Sequence, residues 1–105
     1  MRIYGFDIVA ALIAREKRRR LRQGIALDRR IAAWKQEVEQ GQWRTPAEVK
    51  ALYGTADLVG GGRIVFDICG NNYRLVVQFD YVIGVARIRF AGDHEEYDKI
   101  DARTV

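Results

Sequence analysis

The sequence predicts an α+β fold in which helices come first and an antiparallel sheet follows. Apolar residues recur three and four apart as far as Tyr53 and two apart beyond Gly62, with the Gly60-Gly61-Gly62 run marking the change of period. Elements segregated in this way, rather than alternating, favour helices packed on one face of a small sheet. A chain of 105 residues suits one domain spanning residues 1–105, burying roughly 65% of its unfolded surface.

The elements follow in order. Met1 to Tyr4 alternates weakly and reads as a short strand. Ile8, Leu12, Ile13 and Glu16 then mark a helix that runs into Arg15, Lys17, Arg18, Arg19, Arg20 and Arg22, cations suited to a helix C-terminus, with Gly24 as its stop. Leu27, Ile31, Trp34 and Val38 share one face of a second, antiparallel helix that Gly41 ends. Thr45-Pro46-Ala47-Glu48 is a capping box with proline at the first helical position, opening a short helix through Val49, Leu52 and Tyr53. Three strands come next, Arg63 to Cys69, Tyr73 to Phe79 and Val85 to Phe90, the first two joined by the Gly70-Asn71-Asn72 turn. Period two puts Ile64, Phe66 and Ile68, then Tyr73, Leu75, Val77 and Phe79, then Ala86, Ile88 and Phe90 under the helices. The opposite faces put Arg63, Arg74, Arg87 and Arg89 on an uncovered side. Trp34, Ile31, Phe66, Leu75 and Ile88 are expected in one core.

Composition excludes several classes of function. The longest apolar stretch, Ile8 to Ala14, is far shorter than the ~20 residues of a membrane span, and its basic residues follow it where a signal peptide needs them in front. A cytoplasmic protein without a membrane partner is expected. One cysteine, Cys69, and one histidine, His94, allow neither an internal disulfide nor a Cys/His zinc site; Cys69 is expected to be a half-buried strand residue without a role. The formal net charge of +4 favours polyanionic partners. Residues 1–54 hold 12 Lys/Arg against 6 Asp/Glu, and residues 55–105 hold 6 against 8, so the basic excess lies in the first half. The Arg18-Arg19-Arg20 run within it is either a solvated face or a contact for nucleic acid.

Two groups of residues have the chemistry for a site. Arginines on a sheet face suit phosphate, because guanidinium forks meet phosphate oxygens two at a time and stay charged; the same pattern also fits solvated strand residues. After the third strand, Asp93-His94-Glu95-Glu96-Tyr97 sets a titratable imidazole three residues from a phenol, on one face of a helical turn. That segment equally fits a helix start with Asp93 as N-cap and Glu95 and Glu96 complementing the dipole.

The run Arg63-Ile64-Val65-Phe66-Asp67-Ile68-Cys69-Gly70-Asn71-Asn72-Tyr73-Arg74-Leu75-Val76-Val77 is similar to the hairpin of HigB-type toxins of the RelE/ParE superfamily. Gly84 to Asp101, with His94, Tyr97-Asp98-Lys99-Ile100-Asp101 after the Ile88-Arg89-Phe90 strand, resembles their C-terminal signature, and Trp43 to Lys50 also fits. The resemblance covers about residues 34–102. It implies a RelE-like toxin of a type II toxin-antitoxin system that cuts messenger RNA on the ribosome without a metal or other cofactor, silenced by a HigA-like helix-turn-helix antitoxin. Carried over, the implied catalytic residues are Arg74, Arg89, His94 and Tyr97, with Arg63, Arg87 and Lys99 as RNA-binding cations. His94 is the implied proton-transfer group, as acid or as base. Asp93 stands where many relatives have threonine and Asp67 where many have asparagine, which adds negative charge near the phosphate. Two other readings fit the same fold: a toxin that blocks a protein target such as DNA gyrase, and a noncatalytic RNA-binding domain.

Overall fold

The computed structural model describes residues 1–105, with elements β1 (Arg2–Tyr4), α1 (Phe6–Arg19), α2 (Leu21–Gln40), α3 (Pro46–Leu52), β2 (Asp57–Val59), β3 (Arg63–Ile68), β4 (Tyr73–Asp80), β5 (Val85–Asp93) and α4 (His94–Tyr97). The fold is α+β, as the period change predicts. The sheet, however, is mixed and five-stranded, in the order β1-β5-β4-β3-β2. β1 pairs parallel to β5, and β2, which no sequence pattern announces, adds an antiparallel edge on β3. No helix is long and apolar enough to cross a membrane.

The α1–α2 hairpin differs from the expected one. Glycine does not stop the first helix; α1 ends at Arg19, with Arg20 as an extended cap, and Gly24 lies inside α2. A Cβ on Gly24 would lie 2.4 Å from the backbone N of Lys17, so this glycine lets the two helix backbones touch. Lys17 Nζ reaches Asp28 at 2.6 Å across the same crossing. Beyond it Leu27, Ile31, Trp34 and Val38 are all fully buried, and Val9, Leu12 and Ile13 meet the same core from α1, while Ile8, expected on that stripe, is exposed. α3 opens on the predicted capping box, the Thr45 side chain accepting from Glu48 N–H and the Glu48 carboxylate from Thr45 N–H.

Phe66 sits at the centre of this core, with the rings of Tyr53, Trp34 and Phe79 at 5.0, 5.6 and 6.2 Å between centroids. Trp34, Ile31, Leu75 and Ile88 belong to the same cluster, as expected. Phe90 does not. β4 and β5 lose register between Val76 and Val77: Val77 opposes Ile88, whereas Val76 opposes Phe90. Arg89 is thus an extra residue, a bulge that turns the alternation of β5 over. Ile88 faces the helices, Phe90 faces away, and Ala91 faces the helices again. The β3–β4 turn begins at Cys69, whose left-handed backbone (φ 55°) precedes Gly70 in the same conformation (φ 67°). Cys69 is therefore a turn residue, and burial pushes its thiol above the usual value.

The side of the sheet expected to be open is covered. Val65 and Val76 are buried under Ala102, with Phe90, Tyr97, Ile100 and Val105 packed around them, because the segment after α4 folds back across β3, β4 and β5. Sequence periodicity assigns no element to residues 98–105, which explains why this second small core is not anticipated.

Candidate functional site

The second core divides the arginine face. Arg63 and Arg87 flank Gln78 in one cross-strand row, and Arg74 lies between Asp67 and Gly92 in another. The rows are four residues apart on β4, about 13 Å. Arg63 is buried at 8% exposure, and its guanidinium donates to the backbone carbonyls of Arg103 and Val105, the latter at 2.6 Å. Its geometry makes it an anchor for the C-terminal segment, not the uncovered side chain that the strand alternation predicts. Arg89 is exposed on the bulge and donates from Nε to the Val105 carbonyl at 3.2 Å. Arg87 is exposed at the far end, its guanidinium over the Tyr4 ring at 5.3 Å. Lys99 is exposed in the turn after α4.

Arg74 and Tyr97 come together. The Arg74 Nε meets Asp67 Oδ1 at 3.1 Å, its Nη1 donates to the Asn71 carbonyl at 3.0 Å, and its guanidinium lies 5.9 Å from the Tyr97 ring centre. One edge of the guanidinium is therefore held while the side chain keeps 18% of its surface open. The Tyr97 phenol is held above its usual range, first by burial and then by the Asp57 and Asp67 carboxylates, which outweigh the Arg74 charge. At neutral pH it is a donor.

His94 stands on the other side of the β3–β4 turn. Asp93 caps α4 as the sequence suggests, its carboxylate accepting from Glu96 N–H at 2.8 Å while Glu96 Oε1 accepts from Asp93 N–H at 3.1 Å. The helix-start reading of this segment is thus realised, and it leaves the exposed His94 side chain without a hydrogen bond of its own. His94 lines an open cleft of about 220 Å³ whose facing wall is the α1–α2 elbow, with Arg19, Arg20 and Gln23, and whose edge is Asn72. Tyr97, one turn later, packs on Phe90 at 6.4 Å in the second core. The expected shared face of His94 and Tyr97 is therefore split, because α4 straddles the sheet's end.

An acidic and basic network fixes α4 to α1, and sequence reasoning missed it. Arg15 grips Glu96 with both Nη atoms, at 2.9 and 2.6 Å. That fork, ahead of the opposing cost of burial, holds the Glu96 carboxyl down at about 2. Beside it Glu16 is 4% exposed. Burial would raise its carboxyl, but the Tyr73 hydroxyl donating at 2.6 Å and the charges of Arg15 and Arg19 outweigh it and hold the group below its usual value. Glu16 reads as polar in a helical pattern, so the only signal available was its place on the apolar stripe of α1. No three His, Cys, Asp or Glu side chains converge in the manner of a metal site.

The hairpin, the bulged strand and α4 lie within residues 28–100, and that span matches the family model of the HigB toxin, the RelE-like toxic component of a toxin-antitoxin system. The chain belongs to the HigB toxin family. No curated protein gives a significant match. Family membership makes this a toxin of the RelE superfamily and implies an antitoxin partner. The match begins at Asp28, so α1 and the elbow of this HigB-family chain lie outside it.

Proposed function

We propose that this toxin is a ribosome-dependent endoribonuclease that cuts messenger RNA by attack of a ribose 2′-hydroxyl on the adjacent phosphorus. The observation that carries the reading is the pair at one end of β4 and β5, a guanidinium held on one edge by Asp67 with a protonated phenol against it, and an unengaged imidazole across the β3–β4 turn from them. In the reaction the 2′-oxygen forms a bond to phosphorus, its proton passes to a base, the bond from phosphorus to the 5′-oxygen breaks, and that oxygen takes a proton. The products are a 2′,3′-cyclic phosphate and a 5′-hydroxyl end. Arg74 and Arg89 stabilise the added negative charge on the phosphate, the kind of fixed electrostatic term that is often the largest in catalysis. His94 transfers a proton. Tyr97, kept protonated by its surroundings, donates to a phosphate or leaving oxygen rather than acting as base. Arg87 and Lys99 assist from the rim, and the partner that silences the toxin is a HigA-like helix-turn-helix antitoxin in the cytoplasm.

The test is to induce the chain in bacteria and map new RNA 5′ ends. Codon-phased 5′-hydroxyl ends inside translated messages support the nuclease. Growth arrest with intact messages refutes it and favours a toxin that blocks a protein target.

A further inference from the structure

We propose that the cleft between the α1–α2 elbow and α4 carries the sugar-phosphate backbone of a single RNA strand, with Arg19 and Arg20 holding phosphates next to the one at Arg74. The inference rests on the nuclease reading and extends the substrate path to residues that reading leaves without a part. At the elbow Arg18, Arg19, Arg20 and Arg22 are all exposed. Neighbouring cations are consumed internally, Arg15 by Glu96 and Lys17 by Asp28, and Arg19 touches Glu16 at 3.5 Å while half exposed, whereas Arg18, Arg20 and Arg22 meet no acid. A protruding turn of unpaired guanidinium groups is electrostatically costly on its own, and a polyanion relieves it.

The cleft's lining fits that ligand. Of its nine lining residues only one is hydrophobic. An amphipathic acidic helix would find no apolar seat there, and the exposed Leu21 and Ile25 of α2 do not line it. Gln23, Asn72 and His94 add neutral or titratable hydrogen-bonding groups of the kind that meet ribose and phosphate oxygens. Three acids also face the cleft. Glu16 is engaged by Tyr73, Arg15 and Arg19, Asp93 caps α4, and Glu95 alone has no partner. Asn72 leads directly to Asn71, whose carbonyl holds Arg74. A strand lying in the cleft thus crosses the β3–β4 turn past His94 and arrives at Arg74 and Tyr97, which joins the two halves of the divided site.

The experiment measures binding of a fluorescein-labelled 2′-O-methyl oligouridylate, which has no free 2′-hydroxyl, by anisotropy across a series of KCl concentrations, alongside 5′-end mapping in cells. R19Q/R20Q should bind about tenfold more weakly and lower the slope of log K against log salt by about 1.4, from roughly 0.7 per phosphate contact on a single strand. R19K/R20K should recover the slope, and R44Q, an exposed charge beyond the C-terminal end of α2, should stay within about twofold of the parent. Unchanged affinity and slope in R19Q/R20Q would overturn the inference. So would polyglutamate displacing the RNA equally well at equal charge, which would make the elbow a docking surface for an acidic protein. Binding that depends on Arg19 and Arg20 in a protein that cuts no RNA upholds the cleft and overturns the nuclease. Cleavage by the parent, with R19Q/R20Q unimpaired in binding, does the reverse.

Discussion

Replacing Gly24 by alanine sets two effects of opposite sign against each other. Alanine in a helix interior is better than glycine by about 1 kcal/mol, so propensity alone predicts a more stable protein. The new Cβ, however, would lie 2.4 Å from Lys17 N and 2.6 Å from Lys17 Cα, both backbone atoms that cannot swing aside. Ordinary contact needs about 3.5 Å, so α1 and α2 must part by roughly 1 Å, and a gap of that size forfeits a quarter to a half of each contact across the seam. The seam includes Val9, Leu12, Leu27 and Ile31, all at or near full burial. Overpacking of this kind costs about 1–3 kcal/mol, and with the lost contacts it exceeds the propensity gain by about 2 kcal/mol. At roughly 4–8 °C per kcal/mol for a chain of this size, Gly24→Ala should melt about 8–16 °C lower. Thermal unfolding followed by circular dichroism measures it, with Ala26→Gly on the exposed face of α2 as the propensity control. A Gly24→Ala melting point equal to or above the parent's refutes the close crossing.

Four further outcomes are expected. Phe66→Ala should lose about 3–5 kcal/mol in urea unfolding, because it empties the centre shared by Trp34, Tyr53 and Phe79; a loss under about 1 kcal/mol contradicts that placement. His94→Gln should cut cleavage roughly 10²- to 10⁴-fold with ribosome binding intact, whereas Arg74→Ala should weaken both, and full toxicity of His94→Gln would remove the imidazole from the chemistry. Asp67→Asn should tighten RNA binding several-fold by freeing Arg74 of its carboxylate, and weaker binding would show that Asp67 instead serves to aim the guanidinium. Because the Glu96 carboxyl is depressed from 4.5 to about 2, the stability it contributes is present above the ordinary carboxylate range and drains away as pH falls between those values. Urea midpoints between pH 5 and pH 2.5 should therefore fall less steeply in Glu96→Gln than in the parent, and parallel curves would show that the Arg15 fork adds nothing.

The parts of the fold legible in the sequence are those fixed by local period. The face of Leu27, Ile31, Trp34 and Val38, the Thr45 capping box and the β3–β4 hairpin each follow from residues within one element. What escaped depends on partners in other elements. Gly24 looks like a stop until Lys17 is known to pack on it, and the parallel pairing of β1 with β5 joins residues over 80 positions apart. The arginine face was legible as an alternation, but not its covering by Ile100, Ala102 and Val105, and so not the burial of Arg63. His94 and Tyr97 were legible as residues with chemistry. Their separation was not, since it comes from where α4 sits on the sheet's end.

The extra residue at Arg89 makes the parity of the chain part of the site. Upstream of it β5 serves the helix layer with Ile88, and downstream it serves the opposite side with Phe90, so everything from Phe90 to Tyr97 is placed by a count of one. Deleting Arg89 would close the bulge and leave both sides as they are, because Phe90 would then follow Ile88 directly, still opposite Val76 and facing away, with Ala91 still facing the helices. Keeping Arg89 but drawing it into a regular ladder would instead exchange the two sides for all that follows: Phe90 would turn towards the helices, Ala91 away, and the entry into α4 would rotate with them. The phenol would leave Arg74 and the imidazole would leave the elbow together. The same residues in a more regularly paired strand would thus lose the site as completely as if both side chains were removed.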